Sequence, residues 1–157
     1  MTKALIVIIV IAIAIFVVHR MQLNKKHAAV NQQEGIAYLE QNKTKEGVRT
    51  TDSGLQIETL REGDKQTYPK ANSRVEVHYH GTLTDGTVFD SSVARGQPIE
   101  FGLHQVIPGW TEGLQLMSKG EKARLTIPSH LAYGARAAGA IPPHSTLIFE
   151  VELLNIR

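Results

Sequence analysis

The sequence predicts an α+β domain: a bent antiparallel β-sheet wrapped on one short α-helix, preceded by an N-terminal transmembrane helix. Three observations predict it. Several runs after residue 53 alternate apolar and polar side chains with the period of a half-buried strand. Only one segment among those runs, opening at Pro108, has helical spacing. Residues 4–18 contain no polar side chain.

That apolar run comes first in the chain. Fifteen helical residues measure roughly 22 Å, and a full span needs about 20 residues. Met21 and Leu23 extend the run towards that length if His19 and Arg20 snorkel to the interface. A cleaved signal segment is the rival reading, because Lys3 supplies a charged start. A small-residue cleavage motif is missing after Val18, and Ala28-Ala29 follows Lys25-Lys26-His27, a poor context for cleavage. Residues 1–23 are therefore read as an anchor or signal segment. Arg20, Lys25 and Lys26 follow the run and Lys3 precedes it, so the positive-inside rule places the rest of the chain in the cytoplasm.

Residues 24–53 form a polar, partly helical linker. Ile36, Tyr38 and Leu39 suggest a short helix over about 31–46, stopped by Gly47 and either docked on the domain or solvated as a tether. The folded domain is 54–157. Leu55, Ile57 and Thr59 alternate with Gln56 and Glu58, and Val75, Val77 and Tyr79 with Glu76, His78 and His80. Asp85-Gly86 is a tight-hairpin signal. Trp110, Leu114 and Met117 lie at helical spacing in a helix from Pro108 to Gly120. Ala123, Leu125 and Ile127 form another inward face, and Leu147, Phe149, Val151 and Leu153 the last.

Charge and composition exclude several functions. The 157-residue chain carries +2 overall, but residues 75–157 hold six Lys or Arg against eight Asp or Glu. A mildly acidic domain lacks the basic face that nucleic-acid binding needs. Cysteine is absent, which removes disulfides, thiol nucleophiles and Cys-ligated zinc. His78 and His80 have metal-compatible spacing without an evident third ligand, so a solvated strand face is the better reading. Ser91 and Ser92 lack the Gly-x-Ser-x-Gly elbow of a hydrolase and read as a turn cap. The glycines do not form a phosphate loop.

The aromatics gather in a few motifs: Val-Glu-Val-His-Tyr-His-Gly (75–81), Asp-Gly-Thr-Val-Phe-Asp-Ser-Ser (85–92), Val-Ile-Pro-Gly-Trp (106–110), Ala-Tyr-Gly (132–134) and Ile-Pro-Pro-His-Ser-Thr-Leu-Ile-Phe (141–149). Aromatic rings set among turn residues predict an apolar pocket. In this order the motifs resemble the FKBP-type peptidyl-prolyl cis–trans isomerases, over about half the chain. Residues 35–56 resemble the end of the helical N-terminal region of the macrophage infectivity potentiator-like branch. A longer helical region dimerises proteins of that branch; here an apolar segment stands in its place.

The resemblance implies the FKBP-like fold and isomerase activity without cofactor or metal. It assigns the pocket walls to Tyr79, Phe89, Phe101, Val106, Ile107, Trp110, Tyr133, Ile141 and Phe149, with Trp110 as the floor. The Ile107 N–H and the Tyr133 hydroxyl would bind substrate carbonyls. Asp90 would sit at the rim, with Arg95 as its charge partner. Partners implied are proline-containing protein segments and the inhibitors tacrolimus and rapamycin, and the N-terminal apolar run adds the membrane. Bacterial relatives with export signals act in the periplasm, so the resemblance places the domain on the periplasmic side of the inner membrane, against the charge rule. Ile99 departs from the family, where Phe is common, and the loop 134–140 is rich in small residues and carries one flap of the pocket. A non-catalytic module gripping Pro-containing or apolar segments in the same pocket is the competing function.

Overall fold

The computed structural model describes residues 2–157. Its first element is a single helix, α1 (Thr2–Asn42). The short helix expected over 31–46 is the end of this longer one, and the chain leaves helical geometry before Gly47, which takes a φ of +81°. From Ala28 onward one face of α1 lies against the domain. Ala28, Asn31, Gly35, Tyr38, Leu39 and Asn42 are buried or half-buried at helical spacing. Asn31 Nδ2 donates to the Pro143 carbonyl at 3.2 Å. A Cβ at Gly35 would lie 3.2 Å from Thr146 Cβ and overlap its Oγ1, so only glycine lets the helix approach so closely. The helix end is docked, not a tether.

The remaining elements are β1 (Val48–Thr50), β2 (Gln56–Arg61), β3 (Arg74–Leu83), β4 (Val88–Ser91), α2 (Ser92–Arg95), β5 (Ile99–Gly102), α3 (Pro108–Gln115), β6 (Lys122–Ile127) and β7 (Leu147–Ile156). All strand pairs are antiparallel, in the order β1-β2-β6-β7-β3-β4. β5 shares the outer edge of β3 with β4: it pairs with Arg74–Val77, and β4 pairs beyond it at His80–Thr82. One edge serving two strands bends the sheet around α3. The 85–86 turn closes the β3–β4 hairpin, with the Leu83 N–H on the Thr87 carbonyl at 2.9 Å.

The inward faces are those the alternation predicts. Val75, Val77, Ala123, Leu125, Ile127, Leu147, Val151 and Leu153 are buried. Strand β2 differs. Gln56, expected on the polar side, is buried as fully as its neighbours. Its Nε2 donates to the Leu39 carbonyl at 2.9 Å and its Oε1 accepts from Asn42 Nδ2 at 2.8 Å, so the end of α1 covers what would have been a wet face. On the outer face of the sheet Arg124 bridges Glu58 and Glu150, at 2.7 and 2.9 Å, and so clamps β2, β6 and β7.

Helix α3 starts at Pro108, whose missing N–H costs nothing in the first turn. Thr111 Oγ1 donates to the Leu103 carbonyl at 2.6 Å and ties the helix to the 3-10 turn before it. Gly109 and Gly113 face the sheet where Ile127 and Leu125 leave no room for a Cβ. The helix ends at Gln115, short of the expected Gly120. The Leu116 and Met117 N–H groups close the last turn on the Gly113 and Leu114 carbonyls at 3.1 and 3.2 Å, and Met117 turns into the core.

Candidate active site

The concave face of the sheet, α3 and the loop before β7 enclose a cavity of about 660 Å³. This lies within the roughly 300–1,000 Å³ typical of small-ligand sites. Trp110, on the first turn of α3, is its base. Around it stand Tyr79 from β3 (ring centroids 5.3 Å apart, planes at 76°) and Phe149 from β7 (5.0 Å, 81°). Phe89 from β4 continues the wall edge-on to Phe149 at 5.3 Å. Such edge-to-face pairs contribute about 0.5–1.5 kcal/mol each beyond burial, so the rings hold one another in place without a ligand. The indole Nε1 of Trp110 is buried and has no hydrogen-bond partner among the described residues.

Of the eleven residues singled out in the sequence, nine line the cavity: Tyr79, Phe89, Asp90, Val106, Ile107, Trp110, Tyr133, Ile141 and Phe149. Two do not. Phe101, expected as a wall, lies against Trp110 with ring centroids 5.3 Å apart and planes at 47°. Arg95 stands outside the lining and reaches it through Asp90. Five more residues line the cavity. Ile99 was noted only as a departure, and Ala138, Gly139 and Ala140 only as part of the flap. Gln105 went unnoticed, although it directly precedes the 106–110 motif. Its Oε1 accepts from the Gly102 N–H at 3.1 Å, which fixes the amide at the cavity edge.

One polar network stands at the rim. The Tyr79 hydroxyl donates to Asp90 Oδ2, and Arg95 Nη1 donates to Asp90 Oδ1. Arg95 Nη2 donates to the Tyr79 oxygen at 2.9 Å, closing a triangle, and the Ser91 N–H donates to Asp90 Oδ1 at 2.9 Å. Ser91 also caps α2, which carries Arg95 into place. Partial burial disfavours the Asp90 charge, but the hydrogen bonds from Tyr79 and Arg95 outweigh it and hold the carboxyl below its usual value. Burial, then the bond to Asp90, pushes the Tyr79 hydroxyl up. The network is thus a fixed anion beside an apolar cavity. Tyr133 lines the cavity and is partly exposed, and neither its hydroxyl nor the Ile107 N–H has a hydrogen-bond partner among the described residues.

An apolar cavity with ring walls, free donors and one fixed carboxylate is suited to holding and orienting a small apolar ring with its flanking carbonyls. The comparisons specify the family. Residues 65–154 match the model of the FKBP-type peptidyl-prolyl cis–trans isomerases, and residues 9–58 match that of the domain amino-terminal to them. The chain belongs to the FKBP-type peptidyl-prolyl cis–trans isomerase family. It is 54% identical over 155 residues to the FKBP-type 22 kDa isomerase of Escherichia coli, covering 92% of this chain and 75% of that one. It is 56% identical over 134 residues to FkpA of Aeromonas hydrophila, covering 84% of this chain and 49% of the relative. The chain therefore spans three quarters of the first relative and about half of the second.

The crystal structure of Escherichia coli FkpA superposes with a TM-score of 0.84 at 44% identity, over 87% of this chain and 64% of that one. A peptidyl-prolyl isomerase from Pseudomonas syringae gives 0.75 at 42% identity, over 82% and 95%. The fold is the FKBP-like fold expected. The amino-terminal match begins at residue 9 and includes most of the apolar run, so the N-terminal relationship reaches further than the 35–56 resemblance.

Proposed function

We propose that the chain is a membrane-tethered isomerase that accelerates rotation about X–Pro bonds while nearby proteins fold. The observation that carries the chemistry is the ring-walled cavity with its fixed Asp90 anion. Rotation of the amide faces a barrier of about 18–20 kcal/mol from resonance, and uncatalysed exchange takes tens to hundreds of seconds. The twisted amide has lost that resonance and part of its dipole. A dry cavity disfavours it less than the planar amide, which is differential binding of the transition state.

In this reading the prolyl ring rests on Trp110 between Tyr79, Phe89 and Phe149. The Ile107 N–H and the Tyr133 hydroxyl, both with free donors, hold substrate carbonyls on either side of the bond. Asp90 places negative charge beside the rotating amide, and Arg95 and Tyr79 keep that charge where it is.

The tether rests on the first half of α1. It is long and apolar enough to cross a membrane, and its apolar side chains from Ile6 to Val18 are exposed. The proline-containing partners and the macrolide inhibitors are carried over from the family. The periplasmic side is carried over too, against the positive charge that follows the run. Protease accessibility of residues 43–157 in intact spheroplasts tests the side. Digestion supports the periplasm, and protection supports the charge rule.

Exchange spectroscopy of a short X–Pro peptide with the full chain in lipid nanodiscs tests the activity. Fast exchange abolished by tacrolimus is the expected result. Exchange at the uncatalysed rate from a folded chain overturns the enzyme reading.

A further inference from the structure

The direction in which α1 meets the domain has a consequence for substrate choice. Its contacts fall in order along the helix. Asn31 meets Pro143, Gly35 meets Thr146, and Leu39 and Asn42 meet Gln56. Asn31 and Asn42 are eleven residues apart, roughly 16 Å along a continuous helix. The loop before β7 therefore occupies the end of the domain nearest the apolar run, and the β2 contact lies at the far end. Asn31 follows Leu23, the last apolar residue of the run, by eight residues, roughly 12 Å. A headgroup layer is about 5–7 Å deep on each side of the hydrocarbon, and an ordinary tilt of about 20° does not reverse this axial order. Pro143 is thus held just outside the headgroups.

This loop also forms one side of the pocket. Ala138, Gly139, Ala140 and Ile141 line the cavity, and the Ala138–Ile141 bridge joins them two residues before Pro143. The stretch 134–145 carries Arg136 and His144 and no acid. Arg136 is exposed and makes no ion pair among the described residues. Glu34 and Asp85 lie at the α1 edge of the loop, beside Asn31 and Pro142. The flap is otherwise neutral or basic and made of small side chains, which suits a negatively charged headgroup surface.

We infer that α1 holds the mouth of the pocket at the bilayer surface, and that the favoured substrates are X–Pro bonds in the polar segments flanking a membrane span of another protein. The inference rests on reading residues 1–23 as a span. Its experiment separates the two. The chain has no cysteine, so single cysteines introduced as Ala137→Cys in the flap and Glu46→Cys past the end of α1 label unambiguously; both positions are exposed and neither lines the cavity. Each labelled full-length chain is mixed with vesicles containing anionic lipid and a headgroup-attached nitroxide quencher, then floated.

Co-flotation with loss of emission at 137 and little loss at 46 is the expected result. Co-flotation with equal loss at both positions, or none at 137, overturns the inference and leaves the tether standing. A chain that stays in solution overturns both. A flexible Gly/Ser insertion between Lys25 and Lys26, where α1 is exposed, should abolish the difference between the labels; its persistence would also count against α1 as the spacer. The substrate arm uses two single-span peptides in the same vesicles, with the X–Pro bond about five or about 25 residues beyond the span. Faster exchange at the near bond is expected. Equal rates overturn the substrate assignment.

Discussion

Gly109→Ala is a one-carbon change whose effect depends on two opposed quantities. In an isolated helix alanine is favoured over glycine by about 1 kcal/mol. In this chain the new Cβ would overlap Ile127 Cγ2 and lie 3.0 and 3.1 Å from its Cδ1 and Cγ1, where carbons ordinarily keep about 3.5–4.0 Å. Neither partner has space to yield, since Ile127 is fully buried in β6. Overpacking of this kind costs about 1–3 kcal/mol, so the variant should be less stable by about 1–2 kcal/mol despite its better helix propensity. Helix α3 must retreat by about 1 Å, and Trp110, the next residue, moves with it. A displacement of that size at a positioning group lowers kcat/KM by up to about 100-fold. Urea unfolding in detergent followed by Trp110, the chain's single tryptophan, gives the first quantity and NMR exchange the second. Ile127→Ala removes all three crowding atoms. It costs about 2–5 kcal/mol alone, but the double variant should lose less than the sum. A more stable Gly109→Ala variant, or strictly additive losses, would refute the reasoning.

Asp90→Leu should lower kcat by about 10-fold or more while leaving KM for an X–Pro peptide nearly unchanged, as measured by exchange spectroscopy at several peptide concentrations; equal loss of affinity and turnover would favour the binding-module reading. Tyr79→Phe keeps the ring packing but removes the donor to Asp90, so kcat/KM should fall by about 10-fold, near 1.4 kcal/mol. For pH, the Asp90 carboxyl is lower in the folded chain than in the unfolded one, so its stabilisation is complete above about pH 4 and is lost as pH falls through the folded value. Acid unfolding of the Asp90→Asn variant should accordingly be shallower than that of the parent. Asn42→Ala leaves the buried Gln56 Oε1 without its donor and should cost about 1–3 kcal/mol, with faster amide hydrogen exchange over residues 31–42.

The sheet was legible because β3 and most of β6 and β7 bury one face and leave the other half-buried, which period-two alternation reports directly; Thr126 and Ile148, buried on the second face, are exceptions. Gln56 broke that rule because its cover comes from a helix 14 residues earlier, and alternation carries no information about a neighbour of that kind. The break at Gln115 was hidden for a related reason. Met117 keeps helical spacing with Trp110 and Leu114, yet reaches the core through a tightened turn. Nine of the pocket residues were legible as members of ordered motifs. Gln105 was missed because an amide gains a position only through its partner, here the Gly102 N–H.

The strand order also bears on how the chain is made. Strand β7 lies between β6 and β3, pairing with β3 along nearly its whole length and with β6 over Leu147–Glu152. Without it the sheet falls into two pieces, β1-β2-β6 and β3-β4-β5, with no strand pairing between them. Neither piece can close the cavity, because Phe149 is on β7 and the flap leads into it. Synthesis delivers β7 after every other strand of this sheet, so the domain cannot complete itself until β7 has left the ribosome. Joining distant segments is the slow part of folding such sheets. Each new molecule therefore passes an interval in which its own core is open.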